Sequence, residues 1–259
     1  MKRILIGLSA IVLAAQSPAC PFCKRKTSGL FIGETAIMGN GAVHSWAFLD
    51  AKGNPSKIGV TFSETALQGL PTDVKGPMGP EFNVKFPEQV EKTFFTHVGI
   101  DWNPKGHPPL VYGVPHFDFH FYTIEESERS EITLKGANLA KCQRKPAPKI
   151  MPTGYVNVPK TEVPYMGTHW VSMASPEFHG ATFDKTLIYG SYDGHLAFVE
   201  PMITMAYLES KPSFRGALPK TAAVAKSGFY PTEYGIVYNE TRHEYSIELS
   251  GFVWRSASK

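Results

Sequence analysis

The sequence predicts a mainly β protein, an antiparallel β-sandwich or barrel with two or three short helices. Three observations lead there. Twenty-three glycines and 21 prolines in 259 residues break the chain often and favour short strands over long helices. Apolar and polar side chains alternate with period two in many short segments, as strands with one buried face require. Turn clusters such as Ala51-Lys52-Gly53-Asn54-Pro55 join those segments at hairpin spacing.

The elements follow in chain order. Lys2 and Arg3 precede the apolar stretch from Ile4 to Ala15, which is too short to span a bilayer. Small residues at Ser17 and Ala19 fit a signal peptidase, so residues 1–19 read as a signal peptide. Its removal leaves no transmembrane segment and an exported protein, periplasmic or extracellular. Cys20 then becomes the first mature residue, which keeps a lipid anchor open as the less favoured alternative. Residues 20–30 read as a flexible leader containing Cys20 and Cys23, and residues 31–259 as a single β-rich domain. The C-x-x-C spelling lacks the βαβ setting that redox chemistry uses. Cys142 reads as a small buried side chain.

Residues 41–62 read as a hairpin and 63–67 as a short helix. Strands are expected at 81–86, 92–102 and 110–123, and a surface helix at 125–134. The proline-rich stretch 143–165 reads as irregular. Strands resume at 169–173, 185–192, 195–203, 234–239 and 243–255. Tyr189-Gly190-Ser191-Tyr192-Asp193-Gly194 and Asn239-Glu240-Thr241 mark hairpin turns.

A net charge of +3 with no basic run beyond Lys24-Arg25-Lys26 argues against a nucleic-acid partner. A hydrophobic share of 42% with 19% charged residues describes a packed protein, not a disordered one. There is no H-E-x-x-H, G-x-S-x-G, P-loop or dinucleotide fingerprint.

The chemistry concentrates in Pro115-His116-Phe117-Asp118-Phe119-His120-Phe121-Tyr122. On a strand, Phe117, Phe119 and Phe121 share one face, and His116, Asp118, His120 and Tyr122 share the other. Imidazole and carboxylate at this spacing are the donors a divalent cation prefers, zinc first among them. Strand rise places His116 and His120 roughly 13 Å apart at Cα, too far for one ion on a flat strand. Further donors come from neighbouring strands. His97 and Asp101 alternate around Gly99, and a hairpin closed at 103–109 would set His97 near His116. His169 opens a later strand, and Glu200 sits in an apolar one. The candidate metal ligands are His97, His116, His120, His169 and Glu200, with Asp118 as ligand or orienter. His107, in the turn before the motif, is the strongest of the remaining histidines.

These residues carry a resemblance. Asp101-Trp102-Asn103-Pro104, Gly106-His107-Pro108, His116 to Tyr122, Gly167-Thr168-His169-Trp170, Tyr189 to Gly194 and Glu200-Pro201-Met202-Ile203-Thr204 resemble a group of bacterial proteins of unknown function. That group is similar to a ring-forming protein controlled by a sigma-E/anti-sigma-E system. The likeness covers roughly residues 30–210. It implies a secreted, β-rich, metal-binding protein that forms homo-oligomers, with a link to envelope stress and no established activity.

Three functional readings follow: an exported metal-binding protein, a hydrolase or lyase using a metal-activated water, and a metal-free oligomeric scaffold.

Overall fold

A computed structural model of the chain describes residues 27–74 and 79–258. The proposed signal peptide, Cys20 and Cys23 lie outside them. In chain order the strands are β1 (Gly29–Met38), β2 (Gly41–Leu49), β3 (Pro55–Ser63), β4 (Glu81–Lys85), β5 (His97–Asn103), β6 (His116–Tyr122), β7 (Tyr155–Val163) and β8 (Gly167–Ser172). They continue with β9 (Lys185–Tyr192), β10 (His195–Thr204), β11 (Ser213–Ala217), β12 (Gly228–Tyr230), β13 (Glu233–Asn239), β14 (Glu244–Ser250) and β15 (Val253–Arg255). The short α-helices are α1 (Glu126–Glu131), α2 (Gly136–Gln143) and α3 (Met205–Glu209).

Two antiparallel sheets make the body. One runs β1-β2-β3-β14-β13-β11 and the other β4-β5-β6-β10-β9-β8-β7, with β12 and β15 forming a separate ribbon. The arrangement is a sandwich; neither large sheet closes into a barrel. Side chains from both sheets share one buried cluster, because each presents an apolar face to the other. Phe117, Phe119 and Phe121 of β6 enter this core, and Phe119 stacks on Phe62 of β3 with ring centroids 6.0 Å apart. No helix among the described residues is long and apolar enough to cross a membrane.

The hairpin over 41–62 is present as β2 and β3, and the helix at 63–67 is a single 3₁₀ turn, Glu64–Leu67. The turn between β9 and β10 is built by Asp193 (φ 49°) and Gly194 (φ 80°), two left-handed residues as a tight type I′ hairpin needs. Several expectations are corrected. β1 lies where no strand was expected. β5 and β6 are shorter than predicted, because Glu88–Thr93 and Leu110–Tyr112 are 3₁₀ turns. β7 occupies part of the stretch read as irregular; it pairs with β8 at Tyr155–Asn157 and again at Glu162–Val163, and its proline falls in the register break between them.

The outer face of the seven-stranded sheet positions the site. On most sandwiches such a face meets solvent, but here β6 is buried on both sides. At one end Tyr112, Val171, Phe183, Ile188 and Met202 form a small apolar cluster. At the other, Ile124, Ile132 and Cys142 close over Tyr122, Tyr192 and Phe198. The polar residues of β5, β6 and β10 lie between these caps.

Candidate metal centre

Strand register sets which donors meet. In the β5–β6 hairpin Asn103 pairs with His116, Asp101 with Asp118, Gly99 with His120 and His97 with Tyr122. On β10, Met202 pairs with Asp118 and Phe198 with Tyr122, so Glu200 comes level with His120. Gly190 of β9 pairs with both Phe198 and His169, bringing His169 of β8 to the same end. A Cβ on Gly190 would fall 2.0 Å from the Phe198 ring. The missing side chain is what lets Phe198 wedge against His120 and His169, at centroid distances of 4.8 and 5.3 Å.

The donors form two groups. His107, His116 and Asp118 make the first, and His120, His169 and Glu200 the second, with the ligand atoms of each group all within 4.8 Å of one another. In the first, His116 Nε2 lies 3.2 Å from Asp118 Oδ1, and His107 Nε2 lies 3.4 Å from Asp118 Oδ2. In the second, Glu200 Oε2 lies 3.6 Å from His120 Nε2 and 3.9 Å from His169 Nε2. A tetrahedral ion with bonds of about 2.0–2.2 Å separates its ligands by about 3.3–3.6 Å. The donor spacing is close to that edge length, and the second group's distances exceed hydrogen-bond length.

The ring nitrogens are oriented for coordination. Nδ1 of His116 meets the carbonyl of Val114 at 2.7 Å, that of His107 the carbonyl of Pro108 at 2.8 Å, and that of His169 the carbonyl of Thr161 at 2.9 Å. A carbonyl only accepts, so each ring donates from Nδ1 and, when neutral, turns the lone pair of Nε2 into its group. Asn103 Nδ2 donates to Asp118 Oδ2 at 2.8 Å and fixes that carboxylate. Asp101 Oδ2 stands 3.1 Å from His120 Nδ1, without hydrogen-bond alignment.

The balance of donors and acceptors carries the argument. Seven buried side-chain atoms lack a hydrogen-bond partner among the described residues: Asp101 Oδ2, His116 Nε2, Asp118 Oδ1, both nitrogens of His120, Tyr122 Oη and Glu200 Oε2. All belong to this one face. Each unmet group costs about 1–3 kcal/mol, so the set is of the order of 10 kcal/mol. That equals the whole stability of an ordinary domain, about 5–15 kcal/mol. A cation within each group would engage four of the seven, His116 Nε2, Asp118 Oδ1, His120 Nε2 and Glu200 Oε2, and the residues fit one.

Without a cation, protons share the strain. Burial pushes the Glu200 carboxyl well above the usual range, reinforced by Asp118 and Asp101. Burial also raises Asp101 to about 8, with Asp118 adding to it. His120 and His169 are both held down at about 4, chiefly by burial. For Asp118 burial is outweighed by His116 and His107, which hold it well below the usual carboxylate range. Burial opposes protonation of His107, but Asp118 overrides it and the net direction is up.

The donors named from the sequence fall into two groups, with His116 and Asp118 in one and His120, His169 and Glu200 in the other. His97 belongs to neither. In an antiparallel hairpin the residues nearest the turn pair first, so Asn103 takes the place beside His116 and His97 falls at the far end. There it stacks on Tyr122 at 4.7 Å, and its Nε2 faces Arg129 Nη1 at 3.4 Å. Arg129 also lies 4.1 Å from the Tyr122 ring centroid, pairs with Glu81 and donates to Asn83 Oδ1 at 3.1 Å. His107 joins the first group although its loop has no periodicity to reveal it. Asp101 carries a signal in the sequence, its alternation with His97 on β5.

Comparison with known proteins yields one likeness. No curated protein and no solved structure matches the chain. A family model described as TTHB210-like, hypothetical protein TTHB210, matches residues 50–102, a stretch that ends within β5 and before β6.

Proposed function

We propose that this is an exported protein whose buried sheet face holds two divalent cations, with zinc the ion its donors suit best. Two imidazoles and one carboxylate per group are borderline nitrogen and oxygen ligands, the set zinc takes. The observation that carries the reading is the cluster of seven unpartnered buried atoms, five of them on the metal-group residues His116, Asp118, His120 and Glu200. A metal-free scaffold leaves those atoms without partners. Export rests on the N-terminal sequence, and the link to envelope stress and to homo-oligomers rests on the family resemblance.

Elemental analysis after dialysis against zinc and gel filtration tests it. The wild type should carry two ions per chain, His116→Ala and Glu200→Ala one each, and the double variant none. A wild type without zinc, or single variants that both keep two ions, overturns the reading. Mass spectrometry of the secreted protein should begin at Cys20; an intact Met1 overturns export.

A catalytic reading is favoured by one feature. Each group offers three protein donors, which leaves a fourth tetrahedral position for water. Bound zinc lowers the pKa of such a water toward about 7. His107 is 30% exposed, so the first group has access to solvent, and Asn103 keeps Asp118 aimed at it. Ester hydrolysis by the zinc-loaded protein, absent in His116→Ala, would support this reading; equal rates in both would discard it.

A further inference from the structure

A cavity of about 450 Å³ lies away from the metal face, between β9–β10 on one side and residues 218–232 with β15 on the other. None of the six metal-group residues lines it. Its volume falls within the range of small-molecule sites, about 300–1,000 Å³. The deep wall is apolar, formed by the buried side chains of Phe95, Ile124, Val199, Leu218 and Val224. Lys220, Lys226 and Arg255 also line it, against a single acid, Glu128.

The cations are disposed for a ligand. Neither Lys220 nor Lys226 has a carboxylate within ion-pair distance among the described residues, and both are exposed. Arg255 is anchored by donating from Nη1 to Thr221 Oγ1 at 2.9 Å and from Nη2 to the Thr221 carbonyl at 2.8 Å. A fixed guanidinium beside two ammonium groups with no carboxylate partner among the described residues, one of them 5.9 Å from the Phe94 ring centroid, over an apolar chamber, matches a molecule with one anionic end and a hydrocarbon body. A neutral apolar ligand would leave the cations unused, and a polar anion would leave the chamber wall unused.

We infer that this cavity binds a single-chain amphiphile with an anionic headgroup, a fatty acid in chemical class, with its chain among Phe95, Val199 and Leu218 and its carboxylate at Lys220, Lys226 and Arg255. The ligand is a second cargo, independent of the cations on the outer sheet face.

Calorimetric titration of the full chain with dodecanoate, below its micelle concentration, tests this. One molecule should bind per chain. Lys220→Ala/Lys226→Ala should weaken binding roughly tenfold, the effect of removing two partly solvated charge contacts. Dodecyltrimethylammonium, with the opposite charge, should bind far more weakly than dodecanoate. Ala225 is exposed on the cavity lining, so Ala225→Trp should fold normally, as circular dichroism will check, and block entry. Absence of binding overturns the inference, as does unchanged binding by Ala225→Trp or equal affinity for the cationic amphiphile. His116→Ala/Glu200→Ala should bind dodecanoate like the wild type. Loss of binding there would place the carboxylate on the metal ions and end the inference.

Discussion

Filling the second metal group should expel protons in a number set by burial. In the metal-free protein His120 and His169 have pKa values of about 4, so at neutral pH both imidazoles already offer lone pairs and release nothing. Burial pushes Glu200 well above the carboxylate range, so it holds a proton to higher pH than an ordinary glutamate and must give that proton up to a cation. Asp101, raised to about 8, contributes at most one more. Loading therefore releases protons, and affinity keeps rising with pH beyond the range where an ordinary glutamate has levelled off. Ordinary groups would behave otherwise. Histidines near 6.5 and a glutamate near 4.3 would be almost fully deprotonated by about pH 7.5, and affinity would level off. The assay is zinc calorimetry on His107→Ala/His116→Ala, which retains only the second group, in phosphate and in Tris. The dependence of heat on buffer ionisation enthalpy gives the proton count. A count near zero at about pH 7.5, with flat affinity above it, would refute the account of Glu200.

Three further outcomes follow. Stability of the metal-stripped protein should peak near pH 6.5, because the sign of the proton balance reverses there. Below that point the unfolded chain binds the protons that folded His97, His120 and His169, each held at about 4, refuse, so stability falls with falling pH. Above it the folded state alone keeps protons on Asp101, Glu200 and His107, so stability falls with rising pH; urea midpoints that climb steadily to pH 8 would contradict this. Gly190→Ala should displace Phe198 and cost the second group its ion while the first keeps one, read as one zinc per chain instead of two. Phe119→Ala should destabilise the fold by about 3–5 kcal/mol in urea denaturation, since Phe119 is fully buried against Phe62; a change below about 1 kcal/mol would remove it from the inter-sheet core.

Much of this architecture is readable from the sequence, for identifiable reasons. β6 is legible because a half-apolar strand must alternate, and seven consecutive residues do so without interruption. The hairpin turn at Asp193-Gly194 is legible because only certain residues accept two left-handed positions in succession. β1 is not legible, and β7 is hidden by its proline and the loop composition around it; each is fixed by pairing with the strand that follows it. At the site, the residue types His116, Asp118, His120, His169 and Glu200 announce themselves as polar groups in apolar strands. Their division between two groups does not, because it depends on which residues stand opposite across β5, β6, β10 and β8. His107 is the extreme case: a loop residue placed by the path between Asn103 and His116, with no period to betray it.

The two faces of β6 bind folding and cargo into one decision. A shift of this strand by a single residue against its neighbours would trade every phenylalanine for an imidazole or acid. The mispaired chain would have a wet middle and a dry pocket, able neither to cohere nor to capture ions. On the proposed two-cation reading, ion occupancy would report correct assembly: a molecule that takes up its cations would have its strands in step.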